Sequence, residues 1–207
     1  MDDELIRRSV ASFVEATAAR TTTPGGGSVA GVVGALAAAL GEMAVGFTRD
    51  KAKFAAHADD YARLGERLPR ARAMLLELVA EDVNAFELYS DAMKAEGPAR
   101  QDAVQLALAA CIDVPREMAK IALAILDDLA LLSDRCTKWL LSDLAAGAIL
   151  AEAVVKLCDY NVRVNAGACA DRRIGGEVAA SSADDCRKAR HLLERIEAQV
   201  QAKLEGP

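Results

Sequence analysis

The sequence predicts an all-α protein, a bundle of about six helices with several long members. Three observations carry this expectation. Hydrophobic residues make up 53% of the 207 residues and aromatic ones only 4%, with Ala, Leu and Val leading; Ala and Leu are strong helix formers, while strands draw on β-branched and aromatic residues. Apolar residues recur at spacings of three and four over long stretches. Short runs rich in Gly and Pro interrupt that pattern at a few points. The length suits one domain spanning residues 1–207, with enough chain to bury a core.

Taken in order, a first helix is expected over Asp3 to Ala19. The breaker Thr21-Thr22-Thr23-Pro24-Gly25-Gly26-Gly27 ends it, and Ser28 offers an N-cap for a second helix reaching Thr48. Gly31, Ala35 and Ala39 recur every four residues, as do Ala30, Gly34 and Ala38. Small residues at that spacing admit another backbone closely, so this helix is central or lies at a subunit contact. A third helix is expected from Ala55 to Lys94, with the apolar stripe Leu64, Leu68, Ala71, Leu75, Leu78, Phe86 and Tyr89 and a Pro69 that can kink it. A fourth runs from Ala99 to Leu132 across Pro115, and a fifth from Lys138 to Ala168. After Gly175-Gly176 a last polar helix is expected from Ser182. The chain shows no internal repeat.

Composition excludes several classes of function. The net charge is −6 and no Lys/Arg run stands out, which argues against nucleic acid as a partner. Five cysteines without a CxxC spacing and two distant histidines do not form a metal-binding pattern, so no metal is expected. Reduced thiols in a cytoplasmic protein fit the cysteine pattern. Met1 to Glu4 is acidic rather than basic, unlike a signal peptide. Ser28 to Thr48 is apolar, yet Glu42 interrupts it and no second span follows, so no membrane is expected.

Several residues stand out chemically. Asp82 falls inside the apolar stripe of the third helix, between Leu78 and Phe86. A buried carboxylate needs a partner or a wet pocket. It is either a proton-transfer group with a raised pKa or a paired structural Asp. On the fifth helix Asp143, Gly147, Val154, Asn161 and Asn165 share one face. Asp143 and Asn161 lie about 27 Å apart along a continuous helix, so they cannot both touch one small reacting centre from that helix. Either they serve different parts of a long ligand or the amides bridge helices. Pro24-Gly25-Gly26-Gly27-Ser28 leads into a helix N-terminus, where free N–H groups suit ligand oxygens, unless the glycines are simply a connector. Lys51 and Lys53, with Arg49, follow the C-terminal end of the same helix; they complement its dipole or anchor an anionic tail. Pro115 leaves the carbonyl of Cys111 without its usual donor. Asp113 shares a polar face with Glu117 and Lys120.

The ordered set of motifs resembles a known family. TPGGGSVAG (23–31), FTRDKAKF (47–54), AEDVNAFELY (80–89), DVP (113–115), SDLAAGA (142–148) and NVRVN (161–165) are similar to those of formiminotetrahydrofolate cyclodeaminases and bacterial methenyltetrahydrofolate cyclohydrolases. The resemblance implies an all-α homodimer that dimerises through helices and acts on a reduced one-carbon folate, with no metal or redox cofactor. Both reactions pass through a tetrahedral carbon between N5 and N10 and need proton transfers. Asp82 and Asp143 are then the proton-transfer candidates. The substrate-binding candidates are Pro24, Gly25, Gly26, Gly27, Ser28, Lys51, Lys53, Asp113, Asn161 and Asn165. The loop and the lysines sit at opposite ends of one helix, so a shared site is expected, with Gly25 to Ser28 of one chain and Lys51 and Lys53 of the partner subunit. The cyclohydrolase reaction is the expected activity. Cyclodeaminase is the alternative, and a non-catalytic folate-binding homologue the third reading. Lys94-Ala95-Glu96-Gly97-Pro98 and Cys136-Thr137-Lys138-Trp139 depart from the family pattern.

Overall fold

The computed structural model describes residues 3–205. Every regular element among them is helical: α1 (Asp3–Ile6), α2 (Val10–Ala18), α3 (Gly26–Thr48), α4 (Ala58–Lys94), α5 (Arg100–Leu132), α6 (Leu141–Ala166) and α7 (Arg172–Glu205), with 3-10 turns before α4 and α6. The all-α expectation holds, and the boundaries shift for local reasons. The first expected helix splits in two because Ser9 restarts it, its hydroxyl accepting from the Ser12 N–H at 3.2 Å. The second begins two residues before Ser28, with Gly25 as its cap.

The last helix begins ten residues earlier than its sequence suggests. Asp171 caps it, accepting from the N–H groups of Arg173 at 2.8 Å and Ile174 at 3.2 Å. Gly175 and Gly176 therefore lie inside α7 rather than breaking it. A Cβ at Gly175 would stand 2.5 Å from the Ala166 carbonyl oxygen, so the glycine lets α7 cross the end of α6 closely.

The glycines of α3 organise the core. Along α3, Gly27, Gly31, Gly34 and Gly41 face Asp82, Val79, Leu75 and Leu68 of α4, two helices running antiparallel. A Cβ at Gly31 would meet Val79 Cγ2 at 2.6 Å and the Leu75 carbonyl at 2.9 Å. On the other side a Cβ at Gly147 of α6 would lie 3.3 Å from the Ala37 carbonyl oxygen. α3 is thus the central helix, packed against α4, α5 and α6. Among the described residues it is also the one helix long and apolar enough to cross a membrane; about half of its apolar window is buried against neighbouring helices. Leu64, Leu68, Leu75, Met118, Ile125, Leu126, Leu129 and Leu144 fill the interior around it.

Prolines do not interrupt α4 or α5, which run through Pro69 and Pro115. In α5 the carbonyl of Cys111, deprived of its donor by Pro115, accepts from Asn165 Nδ2 of α6 at 2.9 Å. That bond ties α5 to α6 at the same end of the bundle as the α3 N-terminus.

Candidate active site

At the N-terminus of α3 the chain passes tightly over α4. Pro24 is buried, and the Thr23–Pro24 bond is cis. A Cβ at Gly27 would fall 2.0 Å from Asp82 Oδ1 and 2.6 Å from its Cγ, so only glycine fits while Asp82 holds its position. Ser28, fully buried, donates its hydroxyl to Asp82 Oδ2 at 2.9 Å. Its backbone N–H points to the same carboxylate. Ser28 therefore does not cap α3; it fixes the orientation of Asp82.

Burial pushes the Asp82 carboxyl above the usual carboxylate range, while the two Ser28 donors pull it back in part. The acid stands at the edge of a cleft of about 320 Å³ lined by Asp82, Phe86 and Tyr89 of α4, Cys111 of α5, and Tyr160, Asn161, Val164 and Asn165 of α6. Asn161 donates to the Leu157 carbonyl at 3.1 Å, and its amide lies 3.8 Å from the place of a Gly26 Cβ, so the glycine loop closes one side. Cys111 donates its thiol to the Ala85 carbonyl at 3.3 Å. Burial, then the Asp82 charge, pushes that thiol up, which makes it a poor nucleophile. Asp82 is the one carboxylate in this lining, and neither Lys nor Arg is part of it.

The structure gathers Gly26, Gly27, Ser28, Asp82, Asn161 and Asn165, with Pro24 and Gly25 in the adjoining loop. It does not bring the other candidates to them. Asp143 is half-buried in the first turn of α6, about 27 Å along the helix from Asn161. Lys51 and Lys53 are exposed beyond the far end of α3, about 33 Å from the glycine loop by helical rise; Lys53 Nζ lies 5.6 Å from the Phe54 ring centre. Asp113 is exposed and paired with Arg116 at 3.1 Å. It borders a separate hollow between α5 and α7, with Ile112, Cys169 and Ile174.

Five residues of the cleft were missed or misplaced from sequence, among them Cys111, noted there only for its backbone carbonyl. Phe86 and Tyr89 follow the apolar spacing of α4, but the stripe leaves the core there: Phe86 is 38% exposed and forms a wall. Tyr160 and Val164 stand immediately before Asn161 and Asn165, so the pairing of an apolar and an amide residue, repeated after four, was the available signal. Among the described residues no three His, Cys, Asp or Glu side chains gather as a metal would require.

Residues 9–184, which include the whole cleft, match the formiminotransferase-cyclodeaminase family. The chain belongs to that family. A methenyltetrahydrofolate cyclohydrolase of Methylorubrum extorquens is 28% identical over 202 residues, covering 95% of this chain and 97% of that protein. A formimidoyltransferase-cyclodeaminase of Gallus gallus is 30% identical over 86% of this chain, which spans only 34% of that longer protein. A solved structure, that of formiminotetrahydrofolate cyclodeaminase from Thermotoga maritima, superposes with a TM-score of 0.90 at 28% identity, over 97% of this chain and 99% of that one. The family match and this superposition agree with the all-α architecture reached from residue spacing.

Proposed function

We propose that this chain is a one-carbon folate enzyme that hydrolyses 5,10-methenyltetrahydrofolate to 10-formyltetrahydrofolate. One observation carries the reading: a single, partly desolvated carboxylate, Asp82, faces a cleft with aromatic walls and no cationic side chain in its lining. The methenyl group is a delocalised cation between N5 and N10. A lone carboxylate and aromatic faces attract such a charge, whereas a lysine or arginine would repel it. The chain also covers nearly the full length of the cyclohydrolase relative.

In this reading the Asp82 carboxylate accepts a proton from water as the oxygen attacks the methenyl carbon. The carbon becomes tetrahedral and the positive charge is lost. The C–N5 bond then breaks as the proton held by Asp82 passes to N5 and the hydroxyl gives up its remaining proton to solvent, leaving the formyl group on N10. Ser28 orients the carboxylate, and its two donors oppose the upward shift that burial causes. Asn161 and the free N–H groups of the glycine loop meet the polar edges of the pterin. Asn165 acts as a strut through its bond to Cys111. No metal or cofactor enters these steps.

A second reading is favoured by the superposition on the Thermotoga maritima protein. In a cyclodeaminase, N10 attacks the formimino carbon as its proton passes to the imino nitrogen, and Asp82 in its acid form protonates the resulting amine so that it leaves as ammonia. One assay separates the readings. Purified protein is incubated with methenyltetrahydrofolate or with formiminotetrahydrofolate and the methenyl absorbance is followed. Loss from the first supports the hydrolase, gain from the second the cyclodeaminase, and no change with either sinks both.

The proposal places the enzyme in the cytoplasm as a homodimer. The five free thiols suit a reducing compartment. For the dimer, the support is an outward stripe on α3: Leu36 is 53% and Phe47 63% exposed, with half-buried Leu40 and Met43 between them at helical spacing.

A further inference from the structure

The cleft beside Asp82 shares a wall residue with a separate hollow on each side, and the two hollows differ in charge. Phe86 also borders a hollow with Glu87, Asp91 and Lys94, where the one cation is already paired with Asp91 at 3.1 Å. Tyr160 also borders a hollow of about 190 Å³ lined by Glu152, Lys156, Asp159, Arg163 and Arg190. Here three cations meet two carboxylates. Lys156 and Arg190 have no carboxylate within ion-pair distance among the described residues. On a chain of net charge −6 this is a local reversal of sign.

The third cation is fixed in place. Arg163 Nη2 lies 2.8 Å from Asp159 Oδ2, and its Cζ sits 4.9 Å from the centre of the Tyr160 ring. Asp159 is 6% exposed and its Oδ1 has no hydrogen-bond partner among the described residues, so Arg163 is what compensates that buried charge. Tyr160 borders both the Asp82 cleft and this hollow. A ligand that fills the cleft and crosses Tyr160 reaches Lys156 and Arg190 without leaving the surface of one chain.

We propose that Lys156, Arg163 and Arg190 form the subsite for the glutamate tail of the substrate. This rests on the folate reading and deepens it. The aminobenzoyl ring crosses Tyr160, and the tail carboxylates meet Arg190 and Lys156. The acidic end, with Glu87 and Asp91, faces the donor-rich aminopyrimidinone edge of the pterin, so the polarity of the cleft selects one orientation of the ligand. The subsite lies in the same chain as Asp82 and replaces the expectation that Lys51 and Lys53 of the partner subunit hold the tail.

The test compares methenyltetrahydrofolate with an analogue whose glutamate is replaced by a plain amide. Arg163 is left alone, since its loss strands Asp159 and endangers folding. In Lys156→Ala/Arg190→Ala, the ratio of kcat/KM for the tailed over the tail-less substrate falls about tenfold, about threefold for each exposed cation. Arg190→Lys keeps most of the preference, and raised salt erodes it in the wild type. A ratio within twofold of the wild type in the double variant overturns the proposal, as does loss of the preference in Lys51→Ala/Lys53→Ala instead. Calorimetry with p-aminobenzoylglutamate gives a readout independent of turnover. Binding that weakens about tenfold in the double variant supports the tail subsite even if both substrates are inert and the activity reading falls. Unchanged binding, or none in the wild type, refutes the subsite while leaving the activity reading to its own assay.

Discussion

Replacing Gly27 with alanine is the smallest change that tests the Asp82 site. The added Cβ would lie 2.0 Å from Asp82 Oδ1, 2.6 Å from Cγ and 2.8 Å from Oδ2. Side-chain carbons do not sit that close to oxygen, so one of the two must move by about 1 Å or more. The α3 backbone is held by its contacts with Val79 and Leu75 four residues on, whereas the Asp82 carboxylate can rotate. Rotation breaks the 2.9 Å bond from Ser28. A misplacement of about 1 Å at a reacting group costs about 10²-fold in rate. Stability should respond differently. Losing a hydrogen bond to a charged group costs about 1.5–3 kcal/mol, while alanine for glycine in a helix returns about 1 kcal/mol. The net loss is therefore about 0.5–2 kcal/mol.

The expected outcome is a folded enzyme with kcat/KM for methenyltetrahydrofolate down about a hundredfold and a melting temperature only a few degrees lower. Gly26→Ala is the matched control: its Cβ would lie 3.8 Å from Asn161 Nδ2, an ordinary contact, so kcat/KM should stay within about threefold. Wild-type kcat/KM in Gly27→Ala would refute the argument, because it would mean that Asp82 can leave its place without consequence for the chemistry.

Asp82→Asn should lower turnover by about 10²–10⁴-fold while the protein still melts cooperatively; wild-type turnover would move Asp82 out of the chemistry. The wild-type kcat/KM should fall as pH drops through the raised Asp82 pKa, because the base must be ionised, so its acid limb lies above the usual carboxylate range; this limb should vanish in the residual activity of Asp82→Asn. Since the folded pKa is raised, the Asp82 contribution to stability is present below the unfolded value and is lost as pH rises through the folded one. Asp143→Asn should leave kcat within about threefold and cost about 0.3–1 kcal/mol, since an acid in the first turn of α6 interacts with the helix dipole; a catalytic loss as large as that of Asp82→Asn would contradict the separation of the two residues. Light scattering should give a dimer for the wild type and a monomer for Phe47→Lys; a wild-type monomer at micromolar concentration would dismiss the α3 stripe as an interface.

Much of the fold was legible because it rests on local rules. Leu64, Leu68, Leu75 and Leu78 keep helical spacing and are all buried, and the small residues of α3 announced close packing before any partner was known. Asp82 was legible for the same reason, as a charged residue where spacing demanded an apolar one. What escaped was non-local. Gly175-Gly176 looks like a break unless one knows that Ala166 passes within 2.5 Å of a Cβ there. Asp143 and Asn161 share a face, but a face is long, and only the placement of α3 and α4 tells which end of α6 carries the cleft. Phe86 and Tyr89 follow the core spacing to the end of α4, and nothing local records that the core stops before them. The basic residues beside Tyr160 come from two helices, Lys156 and Arg163 on α6 and Arg190 on α7, and are not clustered in sequence.

The link between Pro115 and Asn165 is the sharpest case of a sequence feature whose meaning the fold completes. Pro115 removes the N–H that would bond the Cys111 carbonyl, and Asn165 supplies a donor from another helix at 2.9 Å. If that is why the amide is there, the two positions must be energetically coupled. Asn165→Leu alone leaves the carbonyl unsatisfied in a partly buried place and should cost about 1–3 kcal/mol. Pro115→Ala restores the intrahelical donor, so the same Asn165→Leu change in that background should cost about 1 kcal/mol less or better, a coupling within the range found for contacting residues. Chemical denaturation of the four proteins measures it directly. Additive costs would mean that the amide does not serve the carbonyl, and Asn165 would then return to the cleft as a ligand-binding group instead of a strut. The same four proteins, assayed for KM, distinguish these roles from the other side: a strut changes KM only as far as it shifts α6, and Pro115→Ala rescues it; a ligand contact is lost in both backgrounds alike.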